Sequence, residues 1–313
     1  MFQFIKQRMK GAQNISQITK AMELVAATKM RRSQEIALRS RPYAYSALEL
    51  LRTLAALEHG DHTPPLLVRR QVARTGIVLI ASDKGLAGSF NSNVMRRFEQ
   101  FARRENITTR DGRAIFIAVG KKAAAFLQKK GCDVLQSFTR TGDFTRPEEV
   151  RPIVELLERS YLQGTIDRAM VFSMHFRTAL TQETIEREIL PIDAASLTRT
   201  INEIVPESGR FSELRRKEQG KESKEQRKDL LIEPSPEQVL TSIASHLLHM
   251  QLYHLFMEAN ASEHAARRIA MKNASENANE LVQTLTLTYN KLRQAAITRE
   301  IIEITAGAEA LRS

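Results

Sequence analysis

The decapeptide Ser82-Asp-Lys-Gly-Leu-Ala-Gly-Ser-Phe-Asn91 lies between an apolar run and a helical one, where α/β folds can cradle a phosphate on a glycine turn. Its spacing matches neither G-x-G-x-x-G nor G-x-x-x-x-G-K-[ST], and Gly120-Lys121 lacks both the upstream glycine and the following Ser or Thr. A structural turn capped by Asn91 or Ser92 is the expectation. His246, His249, His254 and Glu258 are spaced by three to five residues and could place two ligands on one helix face. Zinc takes three or four ligands and an outer shell that orients them, and no second cluster supplies the rest. These histidines are therefore expected to be solvated or to flank a helix seam. Ser262-Glu263-His264 is contiguous, so its side chains diverge around a helix and cannot form a nucleophile, base and orienter. Cys132 has no forced partner and reads as an ordinary small residue near a strand start. Lys29, Arg31, Arg32 and Arg39 could meet phosphates, but no nucleic-acid module surrounds them and the stretch is nearly free of aromatics. No catalytic set, cofactor or metal site is expected.

The balance of 47 Lys plus Arg against 36 Asp plus Glu, a net +11, points to an acidic partner. With 42% hydrophobic residues in 313, the chain can bury a real core. One cysteine excludes an internal disulfide and a cysteine-built zinc site, and implies a reduced compartment. Neither a secretory signal nor a run of about 18 apolar residues is present. Work at a membrane would be peripheral.

Two long helices must position these residues. Ala12 to Arg41 contains no Gly or Pro, with apolar positions at Ile15, Ile18, Met22, Val25 or Ala26, Met30 and Ala37. The pattern resumes beyond Pro42, where a kink is expected, through Leu50, Leu54 and Leu57. Glu237 to Ala306 likewise lacks Gly and Pro, and as a helix would be on the order of 100 Å long. A compact domain of this size has a radius of gyration of roughly 20 Å, so the helix must project. Its stripe of Ile243, Leu247, Met250, Ala266, Ile269, Leu281, Leu285, Thr288, Leu292 and Ala295 needs a partner, and the N-terminal helix supplies one in an antiparallel coiled coil. Between them, short β runs alternate with helices, which predicts an α/β domain with a mainly parallel five-stranded sheet. The segments are an N-terminal coiled-coil helix over 1–60, a central α/β domain over 72–200, a charged mobile loop over 206–232 and a C-terminal coiled-coil helix over 236–309.

Three segments carry a resemblance. They are Gln17-Ile-Thr-Lys-Ala-Met-Glu-Leu-Val-Ala-Ala-Thr-Lys-Met-Arg-Arg-Ser-Gln34, Ser82 to Asn91, and Ser262-Glu-His-Ala-Ala-Arg-Arg-Ile-Ala-Met-Lys-Asn-Ala-Ser-Glu-Asn-Ala continuing through Leu287 to Ile304. In these residues and in its order of elements, the whole chain resembles the gamma subunit of F-type ATP synthases. The resemblance implies a non-catalytic central shaft that turns inside a ring of alpha and beta subunits and couples ion flow through the membrane to ATP synthesis or hydrolysis on that ring. The α/β domain would touch the epsilon subunit and the membrane rotor ring of c subunits. The implied location is peripheral, on the cytoplasmic face of the cell (inner) membrane, with indirect membrane association and no nucleic acid. By the same resemblance, Met22, Lys29, Arg31, Arg32, Arg267, Arg293 and Gln294 fall where the shaft meets the catalytic ring, whose facing loop is acidic. Departures include Ala87 and Ser89, where the family has Cys and Gly, and a charged 206–229 segment longer than usual. These keep open a paralogue serving an alternative ion-pumping ATPase.

Overall fold

The computed structural model describes residues 2–57, 64–107, 112–140, 142–193, 233 and 235–310. The expected charged loop at 206–232 lies outside the described residues. Helix α1 spans Phe2–Leu57, starting before Gly11 and continuing through Pro42. There follow β1 (Thr75–Ile80), α2 (Phe90–Arg104), β2 (Ala114–Val119), α3 (Lys121–Lys130), β3 (Val134–Phe138), α4 (Pro147–Leu162), β4 (Arg168–Phe176), β5 (Gln182–Leu190) and α5 (Pro236–Ala310). Contacts divide the chain into two compact units, Met1–Ala26 with Arg268–Ser313, and Ala27–Arg267.

The first unit pairs the start of α1 with the end of α5. Phe2 meets Tyr289 edge-on at 6.0 Å, Thr286 Oγ1 donates to Met9 Sδ at 3.4 Å and Ser16 Oγ donates to Asn279 Oδ1 at 2.7 Å. Numbers rise on one helix as they fall on the other, so the pair is antiparallel. On α1 the buried positions Ile5, Ala12, Thr19 and Ala26 recur every seven residues, with Met9, Ser16 and Glu23 between them. On α5 the covered positions are Met271, Ser275, Ala278, Val282, Leu285, Tyr289, Leu292 and Ala296, alternating steps of four and three. This is a heptad seam. Ala26, Leu285 and Leu292 lie on it as expected, but other positions of the expected stripe are displaced. Ile15, Ile18 and Val25 are 55%, 60% and 53% exposed, and Leu281, Thr288 and Ala295 also face outward. Along the middle of the pair, Ala12, Ser16, Thr19 and Ala26 on α1 and Ser275 and Ala278 on α5 are small enough to let the two backbones approach, while larger residues such as Ile5, Leu285 and Leu292 occupy the contact nearer the chain ends.

The second unit is built on a sheet of order β3-β2-β1-β4-β5 in which only β5 runs antiparallel, to β4. Strand alternation sends Ile77, Leu79, Phe116, Ala118, Met170 and Phe172 to the face covered by α2 and α3. There Phe98 stacks edge-on with Phe116, Phe126 and Phe172 at 5.7 to 6.1 Å. Val78, Ile80, Ile117, Val119 and Val171 face the other layer, made by α4 and the Leu240–Ala259 stretch of α5. Both faces are buried, which is why β1 reads as a continuous apolar run. Gly120 closes β2 at φ 87°, and an added Cβ would collide with the Ala81 carbonyl. That close approach aligns the ends of β1 and β2, where the turn containing Ser82 begins.

Candidate functional site

The Ser82–Asn91 turn is closed by its own side chains. Asn91 Oδ1 accepts from Ser82 N at 2.9 Å, Ser82 Oγ donates to the Lys84 carbonyl at 2.6 Å, and Asp83 Oδ1 accepts from Lys121 N at 2.9 Å. The amide at the start of α3, which could have faced a phosphate, thus meets a carboxylate of the chain itself. The cap differs from expectation. Ser89 occupies the N-cap of α2 with its Oγ accepting from Asn93 Nδ2 at 3.2 Å instead of capping the backbone, Ser92 Oγ donates back to the Ser89 carbonyl, and Asn91 is committed to Ser82.

Beside this turn, within the second unit, four chain segments meet around Gly142-Asp-Phe-Thr145. Lys29 of α1 donates to Asp143 Oδ2 at 2.6 Å, and Lys84 reaches Asp143 Oδ1 at 3.4 Å. Burial pushes the Asp143 carboxyl up, but the hydrogen bonds and charges of Lys29 and Lys84 outweigh it and hold the group below its ordinary range. Arg32 lies over the Phe144 ring at 5.1 Å, and Asn260 Nδ2 donates to Thr145 Oγ1 at 2.9 Å. His264 completes the arrangement. With its proton on Nε2, it donates to the Asp143 carbonyl at 3.3 Å and accepts from Arg267 Nη1 at Nδ1, also 3.3 Å. Burial depresses its pKa to about 4, so the neutral form is the one present. Arg267 is buried, pairs with Glu263 and donates to the Gly85 carbonyl at 3.3 Å. A cavity of about 310 Å³ opens here, lined among others by Asp83, Lys84, Lys121, Asp143, Asn260 and His264.

The structure therefore brings Lys29, Arg32 and Arg267 into one region. Arg31 is exposed and pairs with Glu35 at 3.2 Å along its own helix. In the first unit, Met22 is half-buried, while Arg293 and Gln294 are exposed on α5. Sequence reasoning missed Asp143, Phe144, Thr145 and Asn260, which belong to none of the three motif segments. The one available signal was an acid in a short Gly-containing turn just before the helix opened by Pro147.

Of the three histidines at the start of α5, His246 is exposed and His249 partly exposed, while His254 departs from the expectation of solvation. His254 is 1% exposed, His175 Nδ1 and Glu258 Oε2 are 2.9 Å apart in the interior, and His249 Nε2 bonds the Pro147 carbonyl at 3.0 Å. Among the described residues no group of three or more His, Cys, Asp or Glu could hold a metal ion, and no helix is long and apolar enough to cross a membrane.

A family model described as ATP synthase matches residues 2–311. The ATP synthase gamma chain of a Synechococcus species is 37% identical over 311 residues, covering 98% of each chain. That of Moorella thermoacetica is 36% identical over 310 residues, again covering 98% of each. Among solved structures, a chain of the Euglena gracilis mitochondrial ATP synthase (OSCP/F1/c-ring) matches with TM-score 0.64 at 18% identity, covering 99% of this chain and 94% of that one. A chain of the Tetrahymena thermophila central stalk and c-ring matches with TM-score 0.57 at 22% identity, covering 82% and 99%.

Proposed function

Because the chain belongs to the ATP synthase gamma-chain family, we propose that it is the non-catalytic rotor shaft coupling ion translocation in the membrane sector to ATP synthesis or hydrolysis on an alpha/beta ring. The observation that carries this reading is the inverted distribution of side chains in the first unit. Its internal seam includes small and polar residues such as Ala12, Ser16, Thr19, Ala26, Ser275 and Ala278, whereas Ile15, Ile18, Leu24 and Val25 on α1, and Ile297, Ile301, Ile302 and Ile304 on α5, are each 44% to 71% exposed. Large apolar side chains turned to solvent in such numbers mark a surface that other protein covers. A sleeve of alpha and beta subunits fits it, with the epsilon subunit and the c-ring as partners of the α/β unit at the cytoplasmic face of the membrane.

In this reading Met22, Lys29, Arg31, Arg32, Arg267, Arg293 and Gln294 serve the ring, in two ways. Arg293 and Gln294 are exposed and available for direct contact, whereas buried Arg267 acts by holding α5 to the Ser82–Asn91 turn. A guanidinium donates two parallel hydrogen bonds to a carboxylate, a geometry lysine lacks. Charge-assisted bonds of this kind contribute about 1.5 to 3 kcal/mol. Arg293→Ala is expected to leave the shaft folded and the complex assembled but to slow ATP synthesis, with Arg293→Lys recovering only part of the rate. The measurement is ion-driven synthesis in vesicles carrying equal amounts of complex. A wild-type rate under a limiting gradient would make Arg293 a surface residue without this role.

A further inference from the structure

We propose that Asp143 is the residue that couples α1 mechanically to the α/β unit, a positioning role that rests on the shaft reading above. The two long helices are held in the second unit very differently. Along Leu240–Ala259, α5 is sunk into the larger core through Leu240, Leu247, Leu248, Leu252, Leu255 and Phe256. Among its described side chains in this unit, α1 buries only Met30, Ser33 and Ala37. Met30 sits in a cluster of four with Phe176, Ala261 and Ala265, and Ala37 with the partly buried Ile36 packs against the main core. The apolar contact made by these described side chains is small beside that of α5 and gives weaker resistance to a helix turning about its axis or sliding along it.

Polar contacts supply what packing does not. They meet at one residue. The Asp143 carboxylate binds Lys29 of α1 through Oδ2 and Lys84 of the β1–α2 turn through Oδ1. Its carbonyl accepts from His264 of α5. Asp143 therefore touches all three segments that sequence reasoning singled out, though it lies in none of them. Phe144 beneath Arg32 and Thr145 bonded to Asn260 extend the hold by one residue each along the same strap. Lys29 and Asp143 have side chains 29% and 32% exposed, dry enough for a directed bond yet not a sealed ion pair. Breaking such a contact leaves no fully buried charge behind. Loss of the carboxylate should loosen α1 without unfolding the unit, so that rotation of the helices and of the α/β unit partly uncouple.

The experiment uses complete complexes in inverted vesicles, with the chain as wild type, Asp143→Asn, Asp143→Ala or Asp143→Glu. Assembled complex, ATP hydrolysis and ATP-driven membrane potential are each read, the last with a voltage-sensitive dye indifferent to the identity of the ion. With Asn and Ala the expected result is unchanged assembly and hydrolysis within about two-fold of wild type, but potential generated per ATP lowered about three-fold, the scale of one partly exposed charge pair. Glutamate should recover most of the ratio. Two results overturn the proposal. One is a wild-type ratio in both the Asn and Ala variants. The other is parallel loss of assembly and hydrolysis with the ratio unchanged, as a purely structural residue would give. A wild-type complex that never builds a potential overturns the shaft reading and this coupling role together, whereas failure confined to the variants' ratio leaves the shaft reading intact.

Discussion

His254 is one turn before Glu258 on α5 and 1% exposed, and burial lowers its pKa from the ordinary 6.5 to about 4. His264 is shifted the same way, first by burial and further by the Arg267 charge, against the Asp143 carbonyl that favours the proton. Below pH 6.5 the unfolded chain binds protons that the folded chain refuses, so stability is complete above that pH and is lost as pH falls toward 4. At pH 5 the cost is about 2 kcal/mol for each histidine, since one pKa unit corresponds to about 1.4 kcal/mol. Urea unfolding at pH 7.5 and pH 5 should show this drop in wild type and a drop smaller by about 2 kcal/mol in His254→Leu. Equal drops in both would mean that His254 is not the titrating group. The residue types were visible in the sequence, but their burial was not. Histidines at such spacing look the same whether the helix face meets water or packs against a sheet.

At the scale of elements, α3 and α4 occupy the spans their Gly and Pro punctuation predicts, Lys121–Lys130 and Pro147–Leu162. Helix α1 runs further than its Gly-free stretch because a coiled-coil partner stabilises the turns on either side of Gly11. The seam is the feature composition concealed. Ala26 is 1% exposed at a heptad contact, and Ile18 is 60% exposed on the opposite side. Ala26→Leu should therefore overpack the seam and cost about 1 to 3 kcal/mol, whereas Ile18→Ser should fall within about 0.5 kcal/mol of wild type. Loss of helical circular dichroism in urea measures both in the isolated chain. Ile18→Ser should instead weaken assembly with alpha and beta subunits. If Ile18→Ser destabilises the isolated chain more than Ala26→Leu does, the seam has been assigned to the wrong face.

For the whole molecule, the isolated chain is expected to turn over no ATP. Asp83 occupies the amide at the start of α3 that a nucleotide phosphate would need, and the Ser82–Asn91 turn spends its polar groups on itself. Robust hydrolysis by contaminant-free chain, lost on Asp83→Ala, would place a nucleotide at the cavity and sink this prediction. Local rules determined much of the molecule by themselves. Runs free of Gly and Pro set the two long helices, alternating apolar runs set a mostly parallel sheet, and motif residues set the family, because each depends on neighbours a few positions away. Which face of α1 forms the seam was decided only by the tertiary structure, since apolar periodicity marks every side chain that will be covered and does not say by what. The meeting of Lys29, Lys84 and His264 at Asp143 was likewise beyond local reading. More than a hundred residues separate Lys29 from Asp143, and Lys84 and Asp143 follow β1 and β3, strands that are not neighbours in the sheet, so no local pattern announces the meeting.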